Sequence, residues 1–199
     1  MCGFRLFCSM VLFSCALSAT TIDFESLADS SFVTTQFTGL VFSNTQVLSA
    51  GISLNELEFP PHSGTNVVTD AGGPISVVFD SPVSSVSGFF TYLSQLTFVA
   101  YDSSAHTLGQ TTSAFSNNLA MSGDPGSSPN EYLQLNFADI SEIVITGSPA
   151  GGSFVMDDFS YSSGTGTTIP EPSTFGVILC LCLAVAAWGG RHRVELLKR

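Results

Sequence analysis

From Leu6 to Gly190 the chain contains no lysine and no arginine. The residues of that kind are Arg5, Arg191, Arg193, Lys198 and Arg199, at the two ends of a 199-residue sequence. The same stretch holds fifteen of the sixteen Asp and Glu residues. Phosphate recognition needs cationic partners, so nucleic acid is excluded as a ligand of this body. Arg–carboxylate pairing within it is excluded as well. Its acidic groups must face water, accept hydrogen bonds or hold cations. Near neutral pH such a body is soluble and repels itself.

Cysteine is missing between Cys15 and Cys180. Cys2, Cys8 and Cys15 fall in the first eighteen residues, and Cys180 and Cys182 in an apolar tail. The body therefore has no disulfide framework, no thiolate nucleophile and no cysteine-based zinc site. No Gly-x-Ser-x-Gly elbow is present for Ser-His-Asp hydrolysis. His62 and His106 follow no metal-ligand spacing. Trp188 is the one tryptophan. That leaves Tyr92, Tyr101, Tyr132 and Tyr161 as candidates for sugar stacking, at strand positions where core packing is the expected role. Thr34-Thr35 and Thr111-Thr112 do not make the regular threonine array that ice binding requires.

The two ends are informative. Arg5 precedes an apolar stretch, Leu6 to Leu17, and Ala16-Leu17-Ser18 fits cleavage before Ala19. Residues 1–18 read as a secretory signal peptide with a signal helix. At the other end, Phe175 to Gly190 spans about 24 Å as a helix against a hydrocarbon core of about 30 Å. Its strong apolar residues supply on the order of −2 to −4 kcal/mol for insertion. A transmembrane helix over 174–190 is expected, with Arg191 and Arg193 as the membrane stop and the body outside.

Between the ends, Gly, Ser, Thr, Asn and Pro punctuate short runs rich in Val, Ile, Phe and Tyr. Expected strands are Thr21–Phe24, Leu40–Phe42, Asn66–Thr69, Ile75–Phe79, Val83–Tyr92, Leu96–Asp102, Tyr132–Phe137, Glu142–Gly147 and Ser153–Tyr161. Val86, Gly88, Phe90 and Tyr92 share one face by alternation, as do Leu96, Phe98 and Ala100. The fold class is all-β: a two-sheet, jelly-roll-like β-sandwich over 19–162. A flexible linker, 163–168, leads to the tail.

Two residue sets are candidates for chemistry. Asp23 and Glu25 on the first strand, with Asp157 and Asp158 on the last, offer hard oxygen ligands suited to calcium. Asp157 is expected to share a face with Val155 and Phe159. There a buried carboxylate needs a metal or several N–H donors. Glu56, Glu58 and His62 lie in a proline-stiffened segment that suits a binding rim. The same two carboxylates could serve a secreted carbohydrate-active enzyme, which is the alternative to a non-catalytic role.

Pro170-Glu171-Pro172, Ser173-Thr174, the apolar run and the closing Arg191 and Arg193 together resemble the PEP-CTERM sorting tail of exported bacterial proteins. The same tail is also labelled an ice-binding protein C-terminal motif. The resemblance covers about thirty residues, 169–199. It implies processing by an exosortase-type membrane enzyme, passage through the inner membrane, and display at the cell surface or in an exopolysaccharide matrix. The two prolines keep the triplet extended and open to such an enzyme. Ser63-Gly64-Thr65-Asn66, Ile75–Phe79 with Pro82-Val83, Leu96–Asp102 with Leu108-Gly109, and Met156-Asp157-Asp158-Phe159 resemble the β-sandwich ectodomains that accompany this tail. The expectation is a structural or adhesive surface protein that binds polysaccharide or calcium.

Overall fold

The computed structural model describes residues 19–163. The expected signal helix, most of the linker, the Pro170-Glu171-Pro172 motif, the transmembrane helix and the Arg191 and Arg193 stop lie outside the described residues. Among the described residues there is no helix, and hence none long and apolar enough to cross a membrane.

The described residues form ten strands in chain order: β1 (Ala19–Ile22), β2 (Phe32–Val33), β3 (Leu40–Ser43), β4 (Thr45–Ser49), β5 (Asn66–Asp70), β6 (Ile75–Tyr92), β7 (Thr97–Tyr101), β8 (Thr107–Thr112), β9 (Glu131–Thr146) and β10 (Phe154–Ser162). The main path runs β2-β4-β5-β10-β6-β9-β7-β8, with β1 on β10 and β3 on β6. Each of these ladders is antiparallel.

β6 and β9 each join two strands that the sequence pattern separates. In β6 the ladder to β9 jumps from Val78 to Val83 across Asp80-Ser81-Pro82. Pro82 has no N–H to donate, so the ladder breaks and the strand bends there. In β9 the matching bend falls at Asp139, with φ of 65°. Both strands thereby pass from one layer to the other. One layer holds β3, the first part of β6, the second part of β9, β7 and β8. The other holds β2, β4, β5, β10, β1 and the remaining parts of β6 and β9.

The alternating apolar residues meet between the layers. Ile75, Val77, Ile143, Ile145, Phe98 and Ala100 come from one side; Val68, Val86, Phe90, Tyr92, Leu133, Met156 and Phe159 come from the other. Phe42 and Phe159 stand 5.7 Å apart by ring centroid, and Phe90 and Phe98 5.9 Å, in strands that do not pair. Full burial of each such side chain contributes about 1.5–3 kcal/mol.

β4 and β8 carry no apolar alternation. In β4 the inward residues are Thr45, Val47 and Ser49. Their polar members are buried by hydrogen bonds, Ser49 Oγ donating to Asn66 Oδ1 at 2.6 Å. β8 is a mostly polar strand paired on one side to β7.

One irregularity decides a face. The ladder of β10 to β6 shifts between Asp157 and Ser160, and Asp158 has φ of 47°. This is a β-bulge with one extra residue. It returns Phe159 to the core, whereas strict alternation from Asp157 would turn it outward. The shared face expected for Asp157 and Phe159 is corrected accordingly.

Candidate functional site

Two prolines and a glycine shape the loop between Phe59 and Asn66, and acidic side chains hold it. Asp157 Oδ2 accepts the backbone N–H groups of His62 and Ser63, both at 2.8 Å, and its Oδ1 accepts the Asp158 N–H at 2.7 Å. Asp158 accepts the Ser63 hydroxyl at 2.9 Å and lies 2.6 Å from His62 Nδ1. Glu25 Oε1 accepts the N–H groups of Thr65 and Asn66 at 2.8 and 2.6 Å, and its Oε2 accepts the Thr65 hydroxyl at 3.0 Å. Gly64 lies between these anchors with φ of 54°, and a Cβ there would overlap the Glu25 carboxylate.

The four carboxylates expected to cage calcium do not do so. Among the described residues no group of three or more His, Cys, Asp or Glu is arranged to hold a metal ion. Asp23 is exposed and, among the described residues, accepts only the Glu25 N–H, at 3.2 Å. The other three meet N–H and O–H donors of one loop, and for Asp157, the buried one, this is the second of the two ways a buried carboxylate is satisfied. Asp157 is 1% exposed. Burial pushes its carboxyl up to about 6, although the N–H groups of Ser63, Asp158 and His62 pull the other way. Partial burial also pushes Glu25 upward, but the Asn66 and Thr65 donors outweigh it and hold the group below the usual carboxylate range.

The anchored loop delivers His62 to an aromatic row. The His62 imidazole stacks on Phe89, with centroids 3.5 Å apart and planes 8° apart. Phe89 leans on Tyr132 at 5.2 Å and 53°. Tyr132 is 50% exposed, so its expected core role is corrected: it faces outward, opposite Phe89 in the β6–β9 ladder. Tyr92 does pack in the core, and its hydroxyl donates to Glu131. Burial and that carboxylate push the Tyr92 phenol up to about 12.

Beside Tyr132 the outward residues of four strands line up. One cross-strand row is Thr21, Ser160, Ser87 and Gln134; the next is Ala19, Ser162, Ser85 and Asn136. Gln134 Nε2 donates to Ser85 Oγ at 3.0 Å, and the Thr21 and Ser160 hydroxyls are 2.7 Å apart. Ala19, Ser85, Ser87, Tyr132, Gln134, Ser160, Tyr161 and Ser162 line a shallow groove of about 270 Å³. Among the described residues no charged side chain lines it. The arrangement offers hydroxyl and amide donors and acceptors beside an exposed ring.

The rim residues divide. His62 joins the aromatic row. Glu58 Oε2 accepts the N–H groups of Met121 and Ser122 at 3.1 and 3.2 Å, tying the two long loops together. Glu56 is exposed. Neither glutamate lines the groove, nor a second pocket of about 270 Å³ formed by Leu48, Leu54, Phe59, Phe154, Val155 and neighbours.

Sequence reasoning missed Thr21, Ser85, Ser87, Gln134 and Ser160. Their alternation with Ile22, Val86, Leu133, Leu135 and Phe159 was visible, yet it marks only a wet strand face. The pairing register alone shows that these faces are one surface.

No family model and no curated protein matches this sequence. Solved structures do. The K2 cleaved adhesin domain of Lys-gingipain is 12% identical with a TM-score of 0.46, covering 74% of this chain and 99% of its own. The K1 adhesin domain of Lys-gingipain from Porphyromonas gingivalis W83 is 9% identical with a TM-score of 0.45, covering 74% and 99%. A variant family 29 carbohydrate-binding module complexed with mannohexaose is 13% identical with a TM-score of 0.42, covering 75% and 94%. Likeness at this level transfers neither ligand nor partner.

Proposed function

We propose that this chain is an exported, surface-displayed β-sandwich that binds polysaccharide without catalysis and serves an adhesive or matrix role. The observation that carries the reading is the uncharged groove beside the half-exposed Tyr132 ring. A pyranose presents an apolar C–H face that packs on an aromatic ring, while its hydroxyls pair with serine hydroxyls and a glutamine amide. The commitment of Glu58 to two N–H donors gives no support to the hydrolytic alternative. The address rests on the signal peptide, the Pro170-Glu171-Pro172 triplet, the apolar run and the Arg191 and Arg193 stop, read from sequence. An exosortase-type enzyme is the processing partner in this proposal, and exopolysaccharide is the ligand class.

The test is a glycan array on the exported protein, run with calcium and with EDTA. Binding to at least one polysaccharide is expected, and Tyr132→Ala should weaken it about ten-fold or more, the loss of one stacking face. Silence in both conditions, or binding indifferent to Tyr132, sinks the groove reading. Mass spectrometry of the exported protein tests the address. A mature start at Ala19 and loss of the segment beyond the triplet are expected; an intact chain held in the cytoplasm overturns it.

A further inference from the structure

β1 starts at Ala19, and Ala19 pairs with Ser162, the last residue of β10. Ala19 also lines the groove beside Ser85 and Ser162. Cleavage before Ala19 would therefore place a new α-amino group at the edge of that groove. An α-amino group has a pKa of roughly 7.7–8.0, so it is largely an ammonium at neutral pH. The stretch from Leu6 to Gly190 has no Lys and no Arg. Apart from a protonated histidine, this ammonium is the one cation the mature body has. Among the described residues the titratable side chains lining the groove are Tyr132 and Tyr161, and no carboxylate there competes for it.

We infer that signal-peptide removal completes the groove, and that the Ala19 ammonium selects glycans carrying an isolated carboxylate, such as a single uronic-acid substituent. This rests on the polysaccharide reading above and names its ligand class. A densely charged polyuronate is disfavoured, because the acidic body repels it at long range. A sparse carboxylate on an otherwise neutral chain avoids that repulsion and reaches the ammonium through its sugar stack on Tyr132.

The absence of lysine makes the test clean. Amine acetylation of the processed protein modifies the Ala19 α-amino group alone, and Lys198→Arg keeps this true of any molecule that retains the tail. Two probes are compared by calorimetry: a xylo-oligosaccharide bearing one glucuronate, and the same oligosaccharide without it. The free-amine protein should bind the glucuronate form about three- to five-fold more tightly than the acetylated protein does, the scale of an exposed ion pair. Acetylation should leave the neutral probe unchanged. Equal loss for both probes, or no loss for either, overturns the inference while leaving the groove reading intact. A mature N-terminus other than Ala19 also overturns it. Failure of both probes to bind either protein overturns the inference, whereas the groove reading is overturned by silence on the glycan array.

Discussion

Asp157 is the residue on which fold and site converge. It is buried, has no cationic partner, and satisfies both oxygens with backbone N–H groups. Its carboxyl is raised to about 6 from an ordinary 3.8. The native state thus holds its proton more tightly than the unfolded chain. The stabilisation is fully present below about pH 4 and is lost as pH rises through about 6. In EDTA-containing buffer, chemical denaturation should find the protein about 1 kcal/mol more stable at pH 5 than at pH 7. Asp157→Asn should flatten that difference. A wild-type protein more stable at pH 7 would contradict the assignment. Glu25 works in the opposite sense: its lowered carboxyl contributes stability above about 4.5 that is lost on further acidification.

At the scale of elements, the loop from His62 to Asn66 and the bulge in β10 form one device. The bulge supplies two successive carboxylates, and the loop supplies the donors that fill them. What the device positions is the His62–Phe89–Tyr132 row. Gly64→Ala should damage it, because Ala must adopt the left-handed conformation and displace Glu25. The cost expected from the backbone conformation and the disturbed charged hydrogen bonds is about 2 kcal/mol by urea denaturation. Binding should fall with it, as His62 loses its support. A substitution that leaves both stability and binding unchanged would separate the loop from the groove. The strands themselves were readable where apolar and polar residues alternate, as in Val86–Tyr92 and Leu96–Ala100. β4 and β8 were not, because polar residues occupy inward positions in one and nearly all of the other.

Across the whole molecule, charge and groove stand in contrast. The chain carries a formal net charge of −11, and its cationic residues lie at the ends. The groove lies within this acidic surface and, among the described residues, has no charged side chain in its lining. Raising sodium chloride from about 10 to about 300 mM shortens the Debye length from about 30 Å to under 10 Å. The protein should then melt a few degrees higher, as its self-repulsion is screened. A lower melting temperature in salt would mean that specific ionic contacts outweigh the repulsion.

By itself the sequence determined composition-level facts: an all-β body, free of lysine and arginine, and a core assembled from alternating Val, Ile, Leu and Phe. These follow from local periodicity and charge count, which need no knowledge of neighbours. Which strands lie side by side was decided only in the tertiary structure. Thr21, Ser87, Gln134 and Ser160 are far apart in sequence and become one row through pairing register. Glu25, Asp157 and Asp158 were chosen from sequence as calcium ligands, but the fold brings the N–H groups of residues 62–66 to them instead. A side chain's chemistry is written in its residue type; what it is spent on depends on which donors the fold carries to it.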